Sequence, residues 1–409
     1  MHARFAWGLR QFLVYCRGLR DPKGFSRRLS PEESARLAPG SSLWVHAPRE
    51  RDVIAIAALL ESLAEPPRIL LTSDTATGRA RASRLASVAV VGAAPHDLSE
   101  PAGRFLRELK PYAVISLGAE PPLMTLRLAS TLGIRACLVD GNLSDAQFRR
   151  HRRLSACWRS ALETVWRATV RSDDDLERFV RLGLPQEALL AVGDIAHDAS
   201  PASPAELRRA MEALASAGWN EHVVWVAGGV RPLEEEALVS AFLVARARVP
   251  ALRLVLAPER PARARELSQR LARAGVEHAT LSEPRASPLC LLIDEPMRLG
   301  GFYASGDFAF AGGTLASARG QDFLEPALAA VPVLFGPHAA PDSPAEALAE
   351  HGGGFRVADR AALADAAVRL ATDAHAREEA GRLAVEFARS LAGAVRRTAQ
   401  HLGPILRAP

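Results

Sequence analysis

Leu43–Ala55 reads LWVHAPRERDVIA. Leu43, Trp44 and Val45 run into His46, and Arg49, Glu50, Arg51 and Asp52 then crowd the start of an apolar stretch with helical spacing. A strand that gives way to a helix within a few residues is the opening unit of an α/β fold. The four charges have two readings. They dress the positive end of a helix, or one of the acids, Glu50 or Asp52, is a catalytic base.

The same alternation continues outward in both directions. SLWVHA, RILLTS, VAVVGA, YAVISLG, ACLVDG and TVWRATVRS read as strands, with helix-like segments such as residues 52–64 and 103–110 between them. GDIAHDASPASPAEL, at residues 193–207, is rich in small residues and proline and reads as a linker. Beyond it HVVWVAGG, LRLVLAP, LCLLID, FAFAGG and VPVLFG repeat the theme, and residues 361–402 read as terminal helices. The pattern predicts an α/β protein of two doubly wound Rossmann-like domains facing a cleft. Residues 31–200 form the first and residues 201–409 the second, after a basic amphipathic helix over residues 1–30. Ligands of such sheets bind beyond the C-terminal ends of the strands.

Composition narrows the function. The 409 residues are 48% hydrophobic and 24% charged, with a formal net charge of +5. No apolar run reaches the roughly 20 residues that span a bilayer. Cys16, Cys137, Cys157 and Cys290 lie far apart, without CxxC or metal-ligand spacing, which suits a reducing, cytoplasmic setting. The positive charge is arginine, lysine occurring at Lys23 and Lys110. Near the N-terminus Arg4, Arg10, Arg17 and Arg20 lie beside an apolar stripe of Phe5, Leu9, Phe12, Cys16 and Leu19. Such a helix lies on an anionic membrane or packs on its own domain. Nucleic acid is not expected, because no basic stripe interleaves with aromatics.

Two glycine-rich turns follow strands in the second half. Gly312-Gly313 ends FAFAGG, and Gly228-Gly229 ends VAGG before the helix-like PLEEEAL. Missing side chains let backbone amides approach an anion there. Glu325, just before Pro326 at a helix start, either favours the positive helix end or accepts ribose hydroxyls. There is no G-x-x-x-x-G-K-[ST], no G-x-S-x-G and no H-E-x-x-H.

From about residue 40 onward the chain resembles the 3-deoxy-D-manno-octulosonic acid (Kdo) transferases, which are GT-B glycosyltransferases. LWVHAPRERDV is similar to the family's W-I-H-A-x-S-x-G-E-V, LTSDTATG to T-T-x-T-x-T-G, and GDIAHD to G-N-x-K-x-D. FLEPALAAVPVLFGPH is similar to L-E-P…P-V-x-x-G-P-H. The resemblance implies transfer of Kdo from CMP-Kdo to a lipid A precursor, without metal or other cofactor, at the inner membrane. It places Asp52 at the catalytic acid and His46, Arg49, Arg51, Thr77 and Gly78 on the acceptor side. It places Gly228, Gly229, Arg260, Gly312, Gly313, Thr314, Gln321, Asp322 and Glu325 around the nucleotide sugar. Polar positions depart from the family. Asp52 replaces Glu, Glu259 stands where an arginine is expected with Arg260 or Arg263 as substitutes, and Ala196 replaces a lysine. Such changes leave open a different donor or acceptor, or a silent homologue that binds lipid or protein.

Overall fold

The computed structural model describes residues 7, 8, 10, 11, 14, 30–37, 40–198, 202–316, 323–340 and 343–407. It divides into two compact units, Met1–Asp198 with Leu391–Pro409, and Ala199–Ser390.

Unit 1 holds a seven-stranded parallel sheet of β1 (Ser42–His46), β2 (Arg68–Thr72), β3 (Val88–Gly92), β4 (Ala113–Leu117), β5 (Arg135–Gly141), β6 (Arg167–Val170) and β7 (Leu189–Ala191). The strand order is β3-β2-β1-β4-β5-β6-β7. Alternate residues of one strand serve two cores, as a period of two requires. Trp44, Leu70, Val114 and Leu138 face one core, while Leu43, Val45, Ile69, Leu71 and Ile115 face the other. Covering both faces explains why these strands are continuously apolar rather than alternating.

The second core of unit 1 is completed from the far end of the chain. Ala394, Val395, Leu402, Ile405 and Leu406 pack into it. The Tyr112 hydroxyl donates to the Ile405 carbonyl at 2.9 Å, and Arg397 donates to the Val192 carbonyl at 2.7 Å. This corrects the expected second domain of residues 201–409, since residues 391–409 belong to unit 1. Sequence continuity alone assigns a terminal helix to its neighbour, whereas the buried apolar face decides where it packs.

Most of the expected basic helix over residues 1–30 lies outside the described residues. Those described in it pack on unit 1. Trp7 is buried between the guanidinium groups of Arg10 and Arg127, 5.5 and 5.2 Å from its ring centre. Arg10 in turn pairs with Asp97, whose carboxylate accepts the amides of Met124 and Thr125.

Unit 2 holds the second parallel sheet: β8 (Val223–Val230), β9 (Leu252–Pro258), β10 (His278–Thr280), β11 (Cys290–Leu292), β12 (Phe308–Ala311), β13 (Val333–Phe335) and β14 (Gly354–Arg356). Its order is β10-β11-β9-β8-β12-β13-β14. Trp225, Phe242, Phe308 and Phe310 are fully buried in its core. Among the described residues no helix is long and apolar enough to cross a membrane.

Candidate functional site

In each sheet the strand order reverses direction beside the first strand, between β1 and β4 in unit 1 and between β8 and β12 in unit 2. A crevice opens at such a switch point beyond the strand ends. Of the residues singled out from the sequence, Arg49, Arg51 and Asp52 follow β1, Gly228 and Gly229 lie at the end of β8, and Gly312 and Gly313 follow β12.

In unit 1, β1 ends at His46, which is 7% exposed and lies 3.1 Å through Nδ1 from the Thr72 hydroxyl. The Glu50–Glu61 helix then begins, with Arg49 as its N-cap and Asp52 in its first turn. Asp52 is wholly buried. Its Oδ2 accepts from the Arg49 backbone N–H at 2.9 Å and from Nε at 3.0 Å, and its Oδ1 accepts from Nη2 at 2.9 Å. The carboxylate therefore performs the acid half of a capping box, and both its oxygens are engaged. The Arg49 side chain is 49% exposed, so solvent reaches one side of the pair. Gly118, directly after β4, adopts φ +82° beside this pair, and a Cβ there would stand 3.0 Å from Arg49 Nη2.

Arg51 turns the other way. Its Nη2 donates to Asp194 Oδ2 at 3.0 Å. Asp194 is shared with Arg171, whose Nη1 lies 2.8 Å away, while the Nε and Nη2 of Arg171 fork the carboxylate of Asp140 at 3.0 and 2.6 Å. Asp140 is fully buried at φ +57°, where the register of β5 against β6 shifts. Burial and the neighbouring Asp194 push its carboxyl up to about 6, against the pull of Arg171 and Arg51. Nothing in the sequence pattern singled this group out. A non-glycine residue held in the left-handed region beside a strand end is a signal that only backbone geometry carries. Thr77 is exposed on the Ala76–Ala82 helix, and the Gly78 N–H donates to the N-cap Thr75 hydroxyl at 3.0 Å.

In unit 2 the two glycine turns meet. Gly312 N–H donates to the Gly228 carbonyl at 2.8 Å, and a Cβ on Gly312 would collide with the Gly229 backbone. Gly229 and Gly313 take φ +66° and +73°. The expected opening of these amides to an anion needs correction at Gly313. Its N–H is taken by Glu234, a 1% exposed residue that no motif in the sequence marks. The Thr314 hydroxyl is also used internally, donating to Ala311 at 2.6 Å and accepting from Gly336 at 2.7 Å.

Arg260 is exposed after β9. Arg263, its suggested substitute, is committed to Glu235 at 3.1 Å and to Glu266 at 2.5 Å. Glu259 pairs with Arg231 at 3.0 Å, so the acid where an arginine was expected is balanced by a cation from the end of β8. Glu325 lies on the Leu324–Leu328 helix, 20% exposed and 3.6 Å from Arg298. Gln321 and Asp322 lie outside the described residues. Among the described residues no group of three or more His, Cys, Asp and Glu could hold a metal ion.

Two doubly wound units, each with a topological switch point, constitute the GT-B glycosyltransferase fold. UDP-GlcNAc 2-epimerase from Neisseria meningitidis, solved with UDP-GlcNAc bound, shares that fold at a TM-score of 0.56, over 88% of this chain and 99% of the other, with 12% identity. The family model described as 3-deoxy-D-manno-octulosonic-acid transferase (kdotransferase) matches residues 22–199. The 3-deoxy-D-manno-octulosonic acid transferase of Bordetella pertussis is 28% identical over 400 residues, 92% of this chain and 90% of that protein. That of Haemophilus influenzae is 26% identical over 316 residues, 75% and 73% of the two chains. By these matches the chain is similar to the Kdo transferases, enzymes of the glycosyltransferase class, over most of its length.

Proposed function

We propose that this protein transfers Kdo from CMP-Kdo to a hydroxyl of a lipid A precursor, in lipopolysaccharide biosynthesis at the cytoplasmic face of the inner membrane. The observation that carries this reading is the extent of the similarity to the Bordetella pertussis transferase, which runs through both units rather than one. Unit 2 takes the nucleotide sugar at the β8/β12 switch point, where Gly228, Gly229 and Gly312 let the two turns meet, with exposed Arg260 toward the phosphate and Glu325 toward the ribose. Unit 1 takes the acceptor at the β1/β4 crevice, with His46, Arg49, Arg51, Thr77 and Gly78 around it. Gln321 and Asp322 join the donor side by resemblance alone.

In the reaction the acceptor oxygen attacks the anomeric carbon of Kdo. The bond from that carbon to the phosphate oxygen breaks, CMP departs, and the acceptor proton passes to Asp52. Fixed dipoles and arginines stabilise the leaving phosphate, so no metal or other cofactor is invoked. For Asp52 to take the proton, Arg49 has to release one of its oxygens, and the half-exposed guanidinium has room on the solvent side. The basic N-terminal segment holds the enzyme against the anionic membrane that carries its acceptor.

One observation favours a second reading, a homologue with a different sugar or with no turnover: the Asp52 carboxylate is already bound at both oxygens. Calorimetric titration with CMP, UMP, UDP and GDP, followed by turnover assays with CMP-Kdo, separates the two. Selective CMP binding with turnover supports the proposal. Preference for another nucleotide redirects it to another donor, and binding of none supports the silent homologue.

A further inference from the structure

Three backbone amides from two loops converge on one side chain in unit 2. Glu234 Oε1 accepts from the Arg231 N–H at 2.9 Å and from the Gly313 N–H, while Oε2 accepts from the Leu315 N–H at 3.2 Å. Arg231 follows β8 and the other two follow β12, the strands that flank the switch point. Backbone N–H groups of Arg231, Gly313 and Leu315 that point at one group, with Gly313 in the left-handed region, form an anion cradle. The anion filling it here belongs to the protein, and at 1% exposure it is shielded from water. Hydrogen bonds to an ionised acceptor are about twice as strong as neutral ones, and they hold both loops at once.

Resting on the donor-site reading above, we propose that Glu234 is a positioning residue for the nucleotide sugar. It clamps the Gly312–Leu315 turn to the end of β8 in the shape the donor meets. It also closes the Gly313 and Leu315 amides to the donor phosphate, which is left to Arg260 and the outer faces of the two glycine turns. Glu235 supplies an internal control. It is equally buried, adjacent in sequence and equally charged, but its carboxylate is held by Arg263 and Arg270, at 3.1 and 3.4 Å.

The test compares Glu234→Gln, Glu234→Asp and Glu235→Gln in the full chain. Amide hydrogen exchange at Gly313 and Leu315 needs no ligand, and it should accelerate about tenfold or more in Glu234→Gln and stay unchanged in Glu235→Gln. CMP affinity by calorimetry should fall about tenfold in Glu234→Gln, recover in part in Glu234→Asp, and hold within about twofold in Glu235→Gln. Unchanged exchange in Glu234→Gln, or equal loss of CMP affinity in Glu234→Gln and Glu235→Gln, would overturn the proposal. A wild-type protein that binds no nucleotide would overturn the donor reading instead, and the exchange measurement distinguishes that failure from failure of the clamp.

Discussion

Asp52 is one residue asked to do two things. As a cap it satisfies the Arg49 amide, and as a base it must free an oxygen. Asp52→Asn is expected to remove at least two orders of magnitude of turnover. The accompanying loss of stability should be near 1 kcal/mol, the usual cost of a damaged cap, readable from urea unfolding. Turnover within twofold of wild type would assign the residue to the cap alone. Asp140 makes a prediction in pH. Its carboxyl ordinarily titrates near 3.8 and in the fold near 6, so the folded state binds the proton more tightly. The stability this contributes is present below about pH 4 and is lost as pH rises through about 6. The stability advantage of wild type over Asp140→Asn should therefore shrink between pH 4 and pH 7, by on the order of 2 kcal/mol. An advantage that grows over that range would reverse the assignment.

At the scale of single elements, the turns after β8 and β12 decide the shape of the donor crevice. Gly312→Ala would drive a methyl group into the Gly229 backbone, where no side chain can yield. A loss of about 1–3 kcal/mol is expected from overpacking, together with weaker nucleotide binding. Thermal unfolding and CMP titration of the same variant check both. Gly275 separates backbone strain from collision, because an added methyl group would meet nothing within 4 Å while φ stands at +70°. Gly275→Ala should cost about 1 kcal/mol and leave CMP affinity unchanged. The elements themselves were largely legible. Every strand with a long apolar run was visible in the sequence because two covered faces leave no polar alternation. The three strands that escaped notice, β7, β10 and β14, are three-residue strands at the edges of their sheets, each paired on one side alone.

At the scale of the whole molecule, the chain returns to its first unit at the end. Truncation after Ser390 would strip Ala394, Val395, Leu402, Ile405 and Leu406 from the second core of unit 1. Each fully buried aliphatic contributes roughly 1.5–3 kcal/mol for the larger side chains, so unit 1 should fail to fold while unit 2 keeps its own core. Calorimetry of the truncated protein should then lose the transition of unit 1 and keep that of unit 2. Two undiminished transitions would show that the return segment is dispensable.

The sequence by itself determined the α/β class, the succession of strands and helices, the two-sheet organisation and the resemblance to the Kdo transferases. Those properties rest on local periodicity and on short motifs in order, such as LWVHA and FLEPAL. Tertiary structure alone decided which charges are already spent. Asp140 with Arg171 and Asp194, Glu234 with the amides of two loops, and Arg263 with Glu235 are indistinguishable in sequence from free acids and bases. The partner of a charge is fixed by distance in the fold. That distance depends on residues as far apart as 143 positions, as between Arg51 and Asp194, and no local pattern encodes it.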